Sequence, residues 1–313
     1  MSQQDLSALI SLIEDPDESI YSAVRRELEE RGETILPHLE NWWECHDFGP
    51  LFHRRVGELI QCIQYKSVYT RLREWSENQQ STLLEGWLII NRYQYPAFDE
   101  YELKRQVSKL RQDIWLELND ELTALETVNV FNYILYRTAG FRPTSDPASQ
   151  PQHYYLSDVL GSRSGNDVSM TLLYLSLAES LDIPIYGVDS PGPLLMCYAN
   201  PVFDDLEDLD YLENLEDLSL LDQLPDAFHE DILFYIDALA MGAIVSRQDA
   251  MSGIKGGKSQ TQPLLPCSHQ QLLMRMMQSL ITAYRHQGKE DKAAELETLH
   301  SVLAEKQDET TTG

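Results

Sequence analysis

Apolar residues recur at helical spacing through the first 137 residues, and short extended runs take over afterwards. That one change of period excludes an all-α or an all-β fold. Leu6, Leu9, Ile10 and Ile13 share a helix face at i, i+3, i+4 and i+7. Asp15-Pro16-Asp17-Glu18 then restarts the helix, with Asp15 in capping position, Pro16 in the first turn and Glu18 three residues on. Ile20, Val24 and Leu28 carry the stripe to a stop at Gly32, and Ile35 to Trp43 begins another short helix. Further helices are expected over 51–73, 79–93, 99–118 and 121–137, the third with Leu103, Val107, Leu110, Ile114 and Leu118 on one side. All five tryptophans (Trp42, Trp43, Trp75, Trp87, Trp115) fall in this half, where helix packing accounts for them.

After Gly140 the Pro- and Ser-rich stretch 142–153 reads as a loop. A helix is expected over 168–181. Two apolar runs follow, Ile183–Val188 and Leu194–Tyr198, separated by Asp189-Ser190-Pro191-Gly192, which is the pattern of a hairpin. Ile232–Asp237 is a third strand, 269–306 a helical hairpin, and the final DETTTG should fray.

Composition narrows the function. The chain has 24 basic and 51 acidic side chains, a net charge of −27, so nucleic acid and anionic membrane surfaces would repel it. No run approaches the ~18 apolar residues of a spanning helix, and the acidic, amphipathic start resembles no leader peptide. Cys45, Cys62, Cys197 and Cys267 lie far apart without a CxxC pair. That excludes a zinc motif and points to a reducing, cytoplasmic setting, with no cofactor implied.

The acidity has an address. Between Arg163 and Arg247 there is no Lys or Arg, while 17 Asp and Glu fall in those 83 residues. Its densest part is 204–231, where Asp204, Asp205, Glu207, Asp208, Asp210, Glu213, Glu216 and Asp217 lead a run of 12 acidic residues. There is no glycine for a calcium loop. Leucines recur every third residue from Leu206 to Leu224 and would wander round a helix, so short broken helices fit better. Two readings stay open: a docking segment for a basic protein partner, or a solvated insertion. Farther on, Gly253-Ile254-Lys255-Gly256-Gly257-Lys258-Ser259 is one residue short of a phosphate loop and follows a helix, so it reads as a flexible basic loop.

Three stretches, NYILYRTAGF (132–141), YLSDVLGSRSGNDVSMTLLYLSLAESLDIPIYGVDSPG (155–192) and FYIDALAMGAIVS (234–246), together resemble the transglutaminase-like superfamily, and within it the bacterial SirB-type branch. Tyr284, Gly288 and Ala293 have the spacing of one tetratricopeptide repeat, which such chains often carry at the end. The resemblance implies a papain-like core and a Cys–His–Asp triad. Carried over by residue, the nucleophile position holds Asp167, the histidine position holds Pro193, and only Asp237 keeps its family residue. Asp167 can cap a helix, but it is no thiolate, and proline cannot shuttle a proton. Ser169 and Cys197 are the fallback nucleophiles, the first also readable as a first-turn helix serine and the second as a core residue. His153 and His229 sit in flanking loops.

The resulting expectation is an α+β, mostly helical chain. A helical region at 1–120 would precede a transglutaminase-like core at 121–258 with a small antiparallel sheet and the acidic insertion. A tetratricopeptide-like hairpin at 259–306 and a disordered tail at 307–313 complete it. The function expected is a catalytically inactive protein-interaction or regulatory module in the cytoplasm. The alternatives are a hydrolase or acyltransferase with a non-standard nucleophile in the same cleft, or peptide binding without cleavage. Partner identity and oligomeric state are not legible.

Overall fold

The computed structural model describes residues 3–45, 48–144, 150–188, 190, 192–199, 232–246, 250, 264 and 266–310. Its first four helices are α1 (Gln3–Ser11), α2 (Glu18–Glu30), α3 (Leu36–Cys45) and α4 (Pro50–Glu77). They close a core of their own around Ile10, Ile13, Val24, Leu28, Leu39, Phe52, Val56 and Leu59. The restart of α2 differs from expectation. Asp17 is the cap and accepts from Ser19 N–H, while Asp15 accepts from Asp17 N–H at 2.9 Å. A cap needs extended backbone, and Asp17 has it at φ −76°, ψ 112°. The buried stripe therefore runs through Tyr21, Val24 and Leu28, and Ile20 is exposed.

α4 belongs to two cores. Its first half packs Phe52 to Ile63 into the N-terminal cluster, and Val68, Leu72 and Trp75 enter a second, larger one. That second core also takes α5 (Leu83–Gln94), α6 (Glu100–Trp115), α7 (Ala124–Asn132), α8 (Leu156–Ser162) and α9 (Asp167–Glu179). The α6 stripe is buried from Leu103 to Ile114 as its periodicity requires. Packing explains Trp75 and Trp87, and Trp43, though partly exposed on α3, lies against Gly57 and His53; Trp115 is 60% exposed at the end of α6. After α7 the helix widens. Over Tyr133–Thr138 it makes a π turn in which Ala139 N–H reaches back five residues to Ile134 C=O at 2.8 Å.

α9 is the central post, with every residue from Val168 to Ala178 buried. β1 (Arg142–Pro143) and β2 (Ser164–Gly165) form a short parallel bridge at its start. The main sheet is antiparallel in the order β3-β4-β5-β6. Its strands are β3 (Ile185–Val188), β4 (Leu195–Ala199), β5 (Ile232–Asp237) and β6 (Ala243–Val245). β3 and β4 are the expected hairpin, and β5 coincides with the expected run; β6 was not foreseen. Ile185, Met196 and Ile236 face the helices, while Val188, Leu195, Cys197 and Tyr235 meet Ala250 and Leu264 on the other face. The β5–β6 turn depends on Gly242. It sits at φ +74°, and a Cβ there would lie 1.7 Å from Asn132 Oδ1.

The chain ends in a helical hairpin, α10 (His269–His286) and α11 (Glu290–Thr310), packed on α4, α5 and α9. Tyr284 and Ala293 are buried, and Gly288 turns between the helices at φ +69°. α11 runs to Thr310, into the segment expected to fray. The molecule is thus mostly helical with one small antiparallel sheet, the α+β class expected from the sequence. Among the described residues no helix is long and apolar enough to cross a membrane.

Candidate functional site

The site is built where α9 begins beneath the ends of β4 and β5. Asn166, not Asp167, caps α9. Its side-chain oxygen accepts from Ser169 N–H at 2.9 Å, and Ser169 Oγ accepts from Asn166 N–H at 3.0 Å. This reciprocal box needs an extended residue just before the helix, and Asn166 has ψ −174°. Gly165 makes room for it, because a Cβ there would lie 2.4 Å from Ser169 Oγ. Asp167 is then the first residue inside the helix, and its carboxylate reaches sideways to accept from Leu194 N–H at 3.4 Å.

That bond brings the first two expected positions together, since Leu194 follows Pro193. The register supplies the third. Met196 pairs with Ile236, so Asp237 lies level with Leu195. Asp167 and Pro193 are thus neighbours, and the Asp237 backbone lies level with them at the same end of the sheet. Asp237 Oδ1 accepts from Leu239 N–H at 2.8 Å and Ala240 N–H at 3.3 Å, tying the turn that follows β5. Pro193 is exposed, and its carbonyl accepts from Ser190 Oγ at 2.6 Å. Both carboxylates thus serve as acceptors for backbone amides.

The fallback nucleophiles are placed for other work. Ser169 is fully buried and its oxygen is committed to the capping box. Cys197 is fully buried on the far face of the sheet, and burial pushes its thiol up to about 12, so no thiolate forms at neutral pH. Cys267 does not bridge to it. Cys197 stands opposite Tyr186 on one face, whereas Cys267 pairs beside Gly187 and packs on the other. Among the described residues Cys62, Cys197 and Cys267 form no disulfide. His153 Nε2 lies 3.3 Å from Thr144 Oγ1, and Thr144 N–H donates to Gly165 C=O at 2.8 Å, so this histidine stands beside the strand bridge at the start of α9.

Sequence reasoning missed the polar groups around these positions. Tyr154 stands over the start of α9, bonded to the side chains of Asn166 and Ser279. Burial, then the charge of Asp167, pushes its phenol up to about 12. Tyr136, buried near Asp237, donates to Ala238 C=O at 3.2 Å. Arg275 comes in from α10 and donates to Gly192 C=O at 3.0 Å, so the base-free segment borrows a cation from 83 residues away. Only Asn166 left a trace in sequence, in the Asn-x-x-Ser spacing of a capping box. Among the described residues no cluster of His, Cys, Asp and Glu has metal-holding geometry. The acidic tract 204–231 with Asp204, Asp205, Glu207, Asp208, Asp210, Glu213, Glu216 and Asp217 lies outside the described residues, as do His229 and the 253–259 loop.

With the geometry in place, the comparison with known families is decisive. The sequence model of the transglutaminase-like superfamily matches residues 101–278, more than half of the chain and the whole of this site. The chain belongs to the transglutaminase-like superfamily. It is similar to a UPF0162 protein of Xylella fastidiosa, 24% identical over 219 residues that cover 70% of each chain. A UPF0162 protein of Pseudomonas aeruginosa is 33% identical over 116 residues, 36% of this chain and 42% of the other. A stretch of 71 residues is 31% identical to F-box only protein 21 of Homo sapiens, covering 23% of this chain and 11% of that one. No solved structure matches.

Proposed function

We propose that this transglutaminase-like chain performs no catalysis at the family cleft and acts as a cytoplasmic protein-interaction or regulatory module of the SirB type. The observation that carries the reading is the state of Asp167. At the position where the resemblance implies a nucleophile, a carboxylate is hydrogen-bonded to Leu194 N–H, beside an exposed proline where a histidine would be required. A triad without its nucleophile and its base has lost most of its rate. The buried hydroxyl of Ser169 and the un-ionised thiol of Cys197 supply no replacement. Cysteines outside any disulfide support a reducing compartment. The net charge of −27 favours a basic partner, and the tract from Asp204 to Asp231 carries the densest part of it.

The test is labelling of the folded full-length chain with a thiol-directed and a serine-directed probe, alongside turnover of model esters and amides. Ser169 and Cys197 should stay unlabelled until the chain is unfolded, with no turnover. Stoichiometric labelling of either one in the folded protein, with turnover lost in S169A or C197A, would restore the hydrolase reading.

A further inference from the structure

The two edges of the main sheet are finished differently. At the β3 edge Val188 pairs with Pro266 in an antiparallel bridge, and Cys267 N–H donates to Gly187 C=O at 2.7 Å. Proline ends the ladder there, a usual way to blunt an edge. At the other edge β6 is Ala243-Ile244-Val245, with neither a charge nor a proline, and no described strand pairs with its outer side. Ile244 is 43% exposed and Met241, in the turn before it, 52%. Asn132 Nδ2 donates to Gly242 C=O at 2.8 Å, which sets the end of α7, just before the π turn, against this corner. π turns are rare and occur often at functional sites.

Resting on the interaction-module reading above, we propose that the outer edge of β6 takes an extended segment of a basic partner protein, which adds a fifth strand to the sheet. Backbone pairing to Ala243–Val245 supplies the alignment, and Ile244 and Met241 supply an apolar footing for alternate side chains. Two observations select this occupant over a second copy. A three-residue edge with three apolar side chains offers far less than the ~1,200 Å² or more of a stable dimer. Two chains of −27 also repel, whereas Lys or Arg flanking an incoming strand is attracted.

The experiment uses the full-length chain and synthetic peptides of about ten residues with alternating aliphatic positions. The flanks are basic in one set and acidic in another, and a third set has proline at every second position. Basic-flanked peptides should bind, weaken with salt, and slow hydrogen exchange at residues 243–245. I244K should weaken binding at least about tenfold. M241K in the exposed turn should weaken it in the same direction, which covers the case where I244K does not fold. Y101S, at an exposed tyrosine on α6, should leave binding unchanged. The proposal is overturned if no peptide binds, if proline-containing peptides bind equally well, or if binding ignores both lysine variants. A dimer lost in I244K would overturn it by giving the edge to a second copy. Binding mapped elsewhere, without turnover, removes the edge and leaves the module reading standing. Hydrolysis of the peptides removes the module reading whatever happens at β6.

Discussion

The N-terminal core and the transglutaminase-like core satisfy their buried polar groups in opposite ways. In the first, ions do it. Arg55 is buried with its guanidinium bonded to Ile13 C=O, Asp15 C=O and Glu18, and it lies 4.0 Å over the Tyr21 ring. Glu29 gathers Arg25 and Lys66, and Glu33 holds Arg71 and Ser67. In the second, neutral groups do it: Asn166 with Ser169, Asn91 with Ser157, Tyr155 with Tyr284, and Trp87 Nε1 with Tyr154 C=O. Without Lys or Arg between Arg163 and Arg247, Asp167 and Asp237 take backbone N–H donors. Both carboxylates lie in a segment of the sequence without Lys or Arg.

The largest expected effect tests the ionic side of this contrast. R55M leaves two buried carbonyls and Glu18 without their donor and should cost about 3–4 kcal/mol in urea unfolding. A loss under about 1 kcal/mol would mean the N-terminal core does not rely on the ion. Next, N166A removes a cap inside the central core and should cost about 2 kcal/mol, with the fluorescence of buried Trp87 reporting the same transition.

Glu29 sharpens the comparison through pH. Burial alone would raise its carboxyl, but bonds from Lys66, Arg25 and Cys62 outweigh it and hold the group at about 2. A carboxyl depressed in the folded state contributes stability that is present above its ordinary value of 4.5 and is lost as pH falls toward 2. E29Q should therefore cost about 1–2 kcal/mol at pH 7, and the gap to the parent should close below about pH 4.5, followed by thermal melts across that range. The smallest effect belongs to the family cleft. D167N and D237N keep an oxygen for the same backbone N–H groups and should each change stability by less than about 1 kcal/mol. A gain larger than that in the double variant would reveal repulsion between the two carboxylates and break the reading of both as simple acceptors.

Much of the fold was legible wherever one residue pattern determines one element. The Leu103 to Ile114 stripe on α6 and the continuous apolar run of β5 needed no tertiary information. β6 escaped because three apolar residues after a glycine turn have no readable period, and its pairing with β5 depends on Gly242 and Asn132 meeting across 110 positions. The cap was misplaced by one residue because Asp167 and Asn166 are equally good caps in composition, and backbone conformation alone decides between them. Asp167, Pro193 and Asp237 were singled out by the resemblance alone. Tyr154 and Arg275 could not, because a tyrosine after a loop and an arginine on a distant helix acquire their places only through packing.

α4 spans about 42 Å at 1.5 Å per residue and anchors one half in each core. A continuous helix shared in this way makes the two cores mechanically interdependent. Loosening the contacts of Phe52 and Val56 shifts the same rod that presses Trp75 against Gly86 of α5, where a Cβ would lie 2.8 Å from the indole. Trimming the chain after Gly49 would bare a hydrophobic flank on a helix the second core still needs. The N-terminal helices are therefore a sheath for that rod as much as a unit of their own.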